Sequence, residues 1–198
     1  MDYTGFIKNY IDLEISVLQK LDREEISALM NELEETRLHG ATVYIMGNGG
    51  SGATASHFAN DFNQGLSQHL ERKFHFVCLN DNMATIMAVA NDIGYEAVFE
   101  FQLRGRVTKN DLVIGISGSG NSPNVLRAIE LAKSAGARTA GLTGYDGGKL
   151  RQIADLSVHV PAMSMQIAED IHMVLDHLIM AVFYRTLCGI EHLKGASE

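Results

Sequence analysis

His57 and Asp61 stand four residues apart in a segment of helical character, so their side chains share one helix face. That spacing suits two ligands to one metal ion, or an imidazole held by a carboxylate. It is equally the spacing of a polar pair on a solvated helix face. A second group, Glu169, His172, Asp176 and His177, lies in an apolar stretch near the end of the chain. Glu169 and His177 would be separated by roughly 12 Å along a helix and about 80° around it. A Glu reaching down and a His reaching up could meet at one ion between them. With His57 and Asp61 they would form a two-imidazole, two-carboxylate set that zinc suits, and that manganese, iron or nickel would also accept. Nothing in the sequence alone forces the two segments together.

Two loops of small residues supply a different chemistry. Gly47-Asn48-Gly49-Gly50-Ser51 follows the apolar run 41–46, and Gly115-Ile116-Ser117-Gly118-Ser119-Gly120-Asn121-Ser122 follows 111–114. Each leads into a segment with helical character. A strand that opens into small residues and continues as a helix presents backbone N–H groups and hydroxyls to a phosphate. Neither loop reads as a nucleotide fingerprint: the second lacks the Lys of a Gly-x-x-x-x-Gly-Lys-Ser/Thr loop, and neither is Gly-x-Gly-x-x-Gly. A small phosphorylated ligand is the expectation.

The elements that must position these residues follow from hydrophobic period. Two amphipathic helices, 4–21 and 23–38, precede the first strand. Strands at 41–46, 74–79, 111–116, 138–143 and 156–160 then alternate with helices at 52–63, 82–91, 95–105, 122–135, 148–154 and 165–188. Unalternated apolar strands such as Leu112-Val113-Ile114 suit a sheet buried on both faces. The pattern predicts a doubly wound α/β sheet of about five parallel strands, with both glycine-serine loops at the strands' C-terminal ends. The organisation read is one domain over 1–198, a helical pair at 1–38 and an α/β core at 41–188. Asn91-Asp92 reads as a helix stop and Asp146-Gly147-Gly148 as a turn. His39, His69, His75, His159 and His192 read as surface or packing residues, and residues 194–198 as a frayed tail.

Composition narrows the classes. The 198 residues are 46% hydrophobic and 20% charged, as in ordinary globular proteins. A net charge of -8 argues against nucleic-acid binding, which needs a basic field. Cys78 and Cys188 sit in apolar surroundings without Cys-x-x-Cys spacing, which suits reduced thiols in the cytoplasm. No export signal is visible at the start, and His172, Asp176, His177 and Arg185 interrupt the apolar run 171–188, which speaks against a membrane span. The apolar residues of the first and last helices exceed what one small domain buries, so an oligomer with helical contacts is expected.

Taken in order, these motifs resemble the sugar isomerase (SIS) domain family, most closely its phosphoheptose isomerase branch. The matching pieces are Gly47-Asn48-Gly49-Gly50-Ser51, His57-Phe58-Ala59, Ala90-Asn91-Asp92, Gly115-Ile116-Ser117 and Ser119-Gly120-Asn121-Ser122. They continue with Leu142-Thr143-Gly144, Asp146-Gly147-Gly148, Val160-Pro161 and Glu169-Asp170-Ile171-His172 with His177. The resemblance implies a flavodoxin-like sheet, a homotetramer with active sites between subunits, and interconversion of sedoheptulose 7-phosphate and D-glycero-D-manno-heptose 7-phosphate. It implies phosphate contacts from Ser117, Ser119 and Ser122 with Gly118 and Asn121, and sugar-phosphate contacts from Asn48, Gly49, Gly50 and Ser51. Asn91, Asp92 and Glu169 would face the substrate. His57, Asp61, Glu169 and His177 would hold one zinc ion per subunit, with Asp61 as base and His177 as acid. This chain departs from the branch in having Asp61 where Glu is usual, Glu169 where Gln is usual, and Gln166 where an acidic residue is usual. A sister enzyme for another sugar phosphate could differ in this way. A non-enzymatic tetramer that binds a replication initiator is the alternative from another class; the His/Asp/Glu set speaks against it.

Overall fold

The computed structural model describes residues 1–191. The frayed tail and His192 of the sequence reading lie outside them. Five parallel strands form one sheet in the order β2-β1-β3-β4-β5, with β1 at Val43–Gly47, β2 at Phe76–Cys78, β3 at Leu112–Ser117, β4 at Arg138–Thr143 and β5 at Leu156–His159. This is the doubly wound order whose crevice lies where the connections leaving β1 and β3 turn to opposite faces of the sheet. The register pairs Gly47 of β1 with Ile116 of β3, so the two glycine-serine loops leave the sheet side by side.

Eight α-helices accompany the strands: α1 Thr4–Leu18, α2 Arg23–Leu38, α3 Gly49–Asn60, α4 Met83–Asp92, α5 Glu100–Leu103, α6 Pro123–Ser134, α7 Gly148–Ile153 and α8 Met165–Cys188. Strand β3 shows how the two faces are assigned. Leu112, Ile114 and Ile116 join a core with Phe58, Phe62, Ile171, Leu175 and Ile179, which places α3 and α8 on that face. Val113 points the other way, into a cluster with Val98, Val125, Ile129 and Leu150. Gly115 shares that second face, and a Cβ there would come within 2.6 Å of Val125 Cγ1, so α6 packs directly on the strand backbone.

Most predicted elements lie within a few residues of their expected bounds; two differ for local reasons. The helix expected at 95–105 is a 3₁₀ turn at Tyr95–Ala97 followed by the short α5, entered from Gly94 at φ 138°. The helix expected at 52–63 starts three residues earlier and runs into a π-helical turn at Asp61–Leu66. That turn is held from outside: the Asn63 side chain donates to Phe76 O and accepts from Phe76 N, both at 2.8 Å. Phe62 is then fully buried among Phe58, Phe74, Phe76 and Phe183.

The long α8 has the length and apolar character of a membrane-crossing helix, yet Ile167, Ile171, Leu175 and Ile179 belong to the core. Helix α1 is different. Phe6, Ile7, Tyr10, Ile11, Leu13 and Ile15 are exposed, and Val17 is its buried residue. It meets α8 through the Tyr10 hydroxyl, which donates to Asp170.

Candidate active site

Local structure explains why the loops take the shape they do. Gly47 ends β1 against the first turn of α3, where a Cβ would meet the Ser51 carbonyl at 2.6 Å. Asn48 is extended at the helix N-cap, and Gly49 follows at φ 54°. In the second loop Gly120 takes φ 66°, and a Cβ there would fall 2.0 Å from Gly147 O. Only glycine allows that approach. Gly144 N donates to Gly118 O and Leu150 N to Gly120 O, each at 2.8 Å, so the loop is tied down from behind.

Between the loops lies a cavity of about 110 Å³ lined by Asn48, Ser51, Ser117, Gly118, Ser119, Ser122 and Glu169 with Ile116 and Met165. The Ser117 and Ser122 hydroxyls are 3.0 Å apart, and Ser122 stands at the N-cap position of α6, whose first residue is Pro123. A helix N-terminus beside three hydroxyls is an anion site by its partial charge and its donors. The Ser119 hydroxyl accepts from Asn121 N, and Asn121 itself is exposed. Gly49 and Gly50 form the open edge of the first loop. Asn91 and Asp92 are exposed at the end of α4, bonded to each other, and do not line this cavity.

Asn124 and Tyr95 also brace the cavity, and neither was singled out from the sequence. Asn48 and Asn124 form a reciprocal amide pair, Nδ2 to Oδ1 at 2.9 Å and 2.8 Å, which locks the first loop to α6. The Tyr95 hydroxyl donates to Asn48 Oδ1 at 2.8 Å. An Asn in the first turn of a helix is too common to signal such a pair; the contact exists only once β1 and β3 lie adjacent.

Farther along α3 the titratable residues gather. His57 Nε2 lies 3.1 Å from His177 Nε2 and 3.3 Å from Asp61 Oδ2; His177 Nε2 lies 3.9 Å from the same oxygen. Asp176 completes the group, its Oδ2 3.8 Å from His57 Nε2, and one ligand atom from each of the four lies within 4.8 Å of all the others. Asp176 is fully buried, and neither of its carboxylate oxygens has a hydrogen-bond partner among the described residues. Burial, reinforced by the nearby Asp61 charge, pushes its carboxyl up to about 8. An unpaired buried carboxylate beside two imidazole nitrogens fits a divalent cation: the donor set is the N/O mixture of zinc sites, and its charges balance the ion.

Three of the four ligands expected from sequence are therefore together, and Glu169 is not among the four. It sits on α8 two turns above Asp176, its carboxylate so close to Gly50 that a Cβ there would fall 2.4 Å from Oε2. Asp176 was visible as a polar residue in an apolar helix, which was the available signal. His172 is buried on the same helix, and burial pushes its imidazole down to about 4 against an opposing pull from the Thr143 backbone.

Helices α3 and α8 thus run parallel, with matched contacts one heptad apart: Gly50 with Glu169 near their N-termini, His57 with Asp176 farther along. An anion cavity and a cation cluster stand at two levels of the same helix pair. Such a fold and site define a sugar-phosphate-handling class, and comparison with known proteins agrees. The SIS domain family model matches residues 6–144, and the chain belongs to that family. Within it the chain falls in the phosphoheptose isomerase branch. It is 34% identical over 195 residues to a phosphoheptose isomerase of Trichlorobacter lovleyi, covering 96% of this chain and 98% of the relative. It is 37% identical over 181 residues to that of Aliarcobacter butzleri, covering 90% and 95%. The solved phosphoheptose isomerase of Neisseria gonorrhoeae superposes with a TM-score of 0.83 at 26% identity, covering 90% of this chain and 97% of that one. The family match ends before α8, the helix that supplies Asp176 and His177.

Proposed function

We propose that the protein is an aldose–ketose isomerase that converts sedoheptulose 7-phosphate to D-glycero-D-manno-heptose 7-phosphate through an enediol. The observation that carries this reading is the pairing of an anion cavity with a His/Asp cluster on α3 and α8. Ser51 and His57 are six residues apart on α3, which is roughly 9 Å along the helix axis. A phosphate gripped at one end would therefore deliver the other end of a several-carbon sugar to the cluster. Ser117, Ser119, Ser122 and the α6 N-terminus hold the phosphate, with Asn48 and Ser51 on its other side. Binding energy at the phosphate then positions C1 and C2 for reaction.

In this reading Asp61 takes the proton from C1 of the ketose. The C–H electron pair becomes the C1=C2 bond while the O2 carbonyl is protonated by His177. Return of a proton to C2, with the O1 proton leaving to His177, completes the aldose. Asp61 Oδ2 faces both imidazoles, and its Oδ1 accepts from Asn60 Nδ2 at 3.1 Å. His57, Asp61 and His177 with a further α8 carboxylate would hold zinc, which when bound polarises the sugar oxygens and stabilises developing negative charge.

The exposed apolar stripe of α1, with Phe6, Ile7, Tyr10 and Ile11, supports a homotetramer whose subunits bury it. Free thiols at Cys78 and Cys188 support a cytoplasmic location. Incubating the purified protein with sedoheptulose 7-phosphate and following aldose formation tests the activity. Absence of turnover where an authentic isomerase works would remove this reading.

A further inference from the structure

Deepening the isomerase reading, on which it rests, we propose that Asp176 is the fourth ligand of the metal centre. Glu169 instead stays with the sugar chain in the phosphate cavity. The distances separate the two roles. Donors about 2.0–2.1 Å from a tetrahedral zinc stand about 3.3–3.4 Å from one another. His57 Nε2 lies 3.1 Å, 3.3 Å and 3.8 Å from the ligand atoms of His177, Asp61 and Asp176. A gap of 3.8 Å is too long for a hydrogen bond and close to the spacing of two ligands on one ion.

Burial points the same way. Asp176 is 0% exposed, and its carboxylate oxygens have no hydrogen-bond donor among the described residues. A carboxylate kept for structure would be hydrogen-bonded, because desolvating it unpaired costs several kcal/mol. A carboxylate kept for a cation needs only the cation. Glu169 lies seven residues earlier on α8, roughly 10 Å up the axis, with its carboxylate against Gly50 and beside Ser51 in the phosphate cavity. There it can accept from sugar hydroxyls.

The test reads metal rather than turnover. Zinc affinity is measured by chelator competition, and cobalt(II) substitution gives visible absorption, for wild type, Glu169→Gln and Asp176→Asn. Glu169→Gln should bind zinc as wild type does, with an unchanged cobalt spectrum. Asp176→Asn should lose more than the roughly 10–100-fold that changes outside the ligand set produce. Zinc should raise the melting temperature of wild type and Glu169→Gln but not of Asp176→Asn. Asp176→Cys provides a direct signature should the Asn variant fail to fold: its thiolate on cobalt brings a near-ultraviolet charge-transfer band. Wild-type affinity in Asp176→Asn, no such band in the Cys variant, or loss of binding in Glu169→Gln would each overturn the assignment. A wild-type protein that takes up neither metal overturns it as well, while sugar turnover, assayed separately, decides the isomerase reading.

Discussion

The Nε2 atoms of His57 and His177 stand 3.1 Å apart although the two residues are 120 positions apart in the chain. Two imidazole nitrogens at that separation, flanked by Asp61 and a buried Asp176, bring four ligand atoms within 4.8 Å of one another. The parallel course of α3 and α8 creates this grouping. The same course sets Glu169 beside Gly50 two turns away, so one helix pair carries both ends of the site. From this arrangement the following consequences are expected.

Asp61→Asn keeps the size of the side chain and removes the proposed base. Turnover should fall about 10²–10⁴-fold, the usual contribution of a positioned general base. Far-ultraviolet circular dichroism and the oligomeric state should match wild type. Activity retained in this variant would remove Asp61 from the proton-transfer role.

Ser117 is 3% exposed and its hydroxyl meets that of Ser122 at the mouth of α6. Ser117→Ala should lower kcat/KM about 10- to 100-fold, since a hydrogen bond to a charged group contributes about 1.5–3 kcal/mol. Inhibition by inorganic phosphate should weaken in step. A loss of turnover with unchanged phosphate inhibition would place the phosphate elsewhere.

The Asn48–Asn124 amide pair joins the first loop to α6 across the sheet crevice. Asn124 is 1% exposed, and its Oδ1 also accepts from Val125 N at 3.0 Å. Asn124→Ala should therefore leave buried polar groups unpaired and cost about 1–3 kcal/mol, read as a lower urea midpoint. Weaker phosphate inhibition should accompany it, because Asn48 loses its anchor.

Gly50→Ala should leave stability nearly unchanged, since the atoms that a new Cβ meets are the far end of the Glu169 side chain. Its effect should fall on the sugar site, as a higher KM with zinc affinity retained. Equal loss of zinc and substrate affinity would show that Glu169 serves the ion.

His172 provides a pH signature of the fold. Its pKa is lowered from 6.5 to about 4 by burial, so the folded protein binds fewer protons there than the unfolded chain. The neutral ring contributes stability that is fully present above about pH 6.5 and is lost as pH falls toward 4. The loss amounts to about 3 kcal/mol at about 1.4 kcal/mol per pH unit. Urea midpoints between pH 7 and pH 4, compared between wild type and His172→Leu, measure it, because the raised Asp176 carboxyl shifts stability the opposite way over the same range and cancels in the difference. Identical pH profiles in wild type and His172→Leu would show that the ring stays accessible to protons.

Much of this protein was legible in its chain. Strict helical period set α2 at Arg23–Leu38 and α8 at Met165–Cys188, and unalternated apolar runs marked the sheet as buried on both faces. The glycines named their own loops because Gly47 and Gly120 occupy positions where a Cβ has no room. Local chemistry of this kind is written residue by residue. His57 and Asp61 could likewise be paired from spacing alone, since four residues close one helical face.

Only the tertiary structure decided which carboxylate joins them. Glu169 and Asp176 sit on one helix, both within plausible reach in one dimension, and their difference lies in how α8 is docked against α3. Docking is set by core packing of Ile171, Leu175 and Ile179 under the sheet, which buries Asp176 and leaves Glu169 facing Gly50. The same long-range contact brings Asn124 to Asn48. Helix propensity depends on neighbours in sequence, whereas a metal site depends on the rotation and slide of one packed helix against another, and those are fixed by side chains scattered over the whole core.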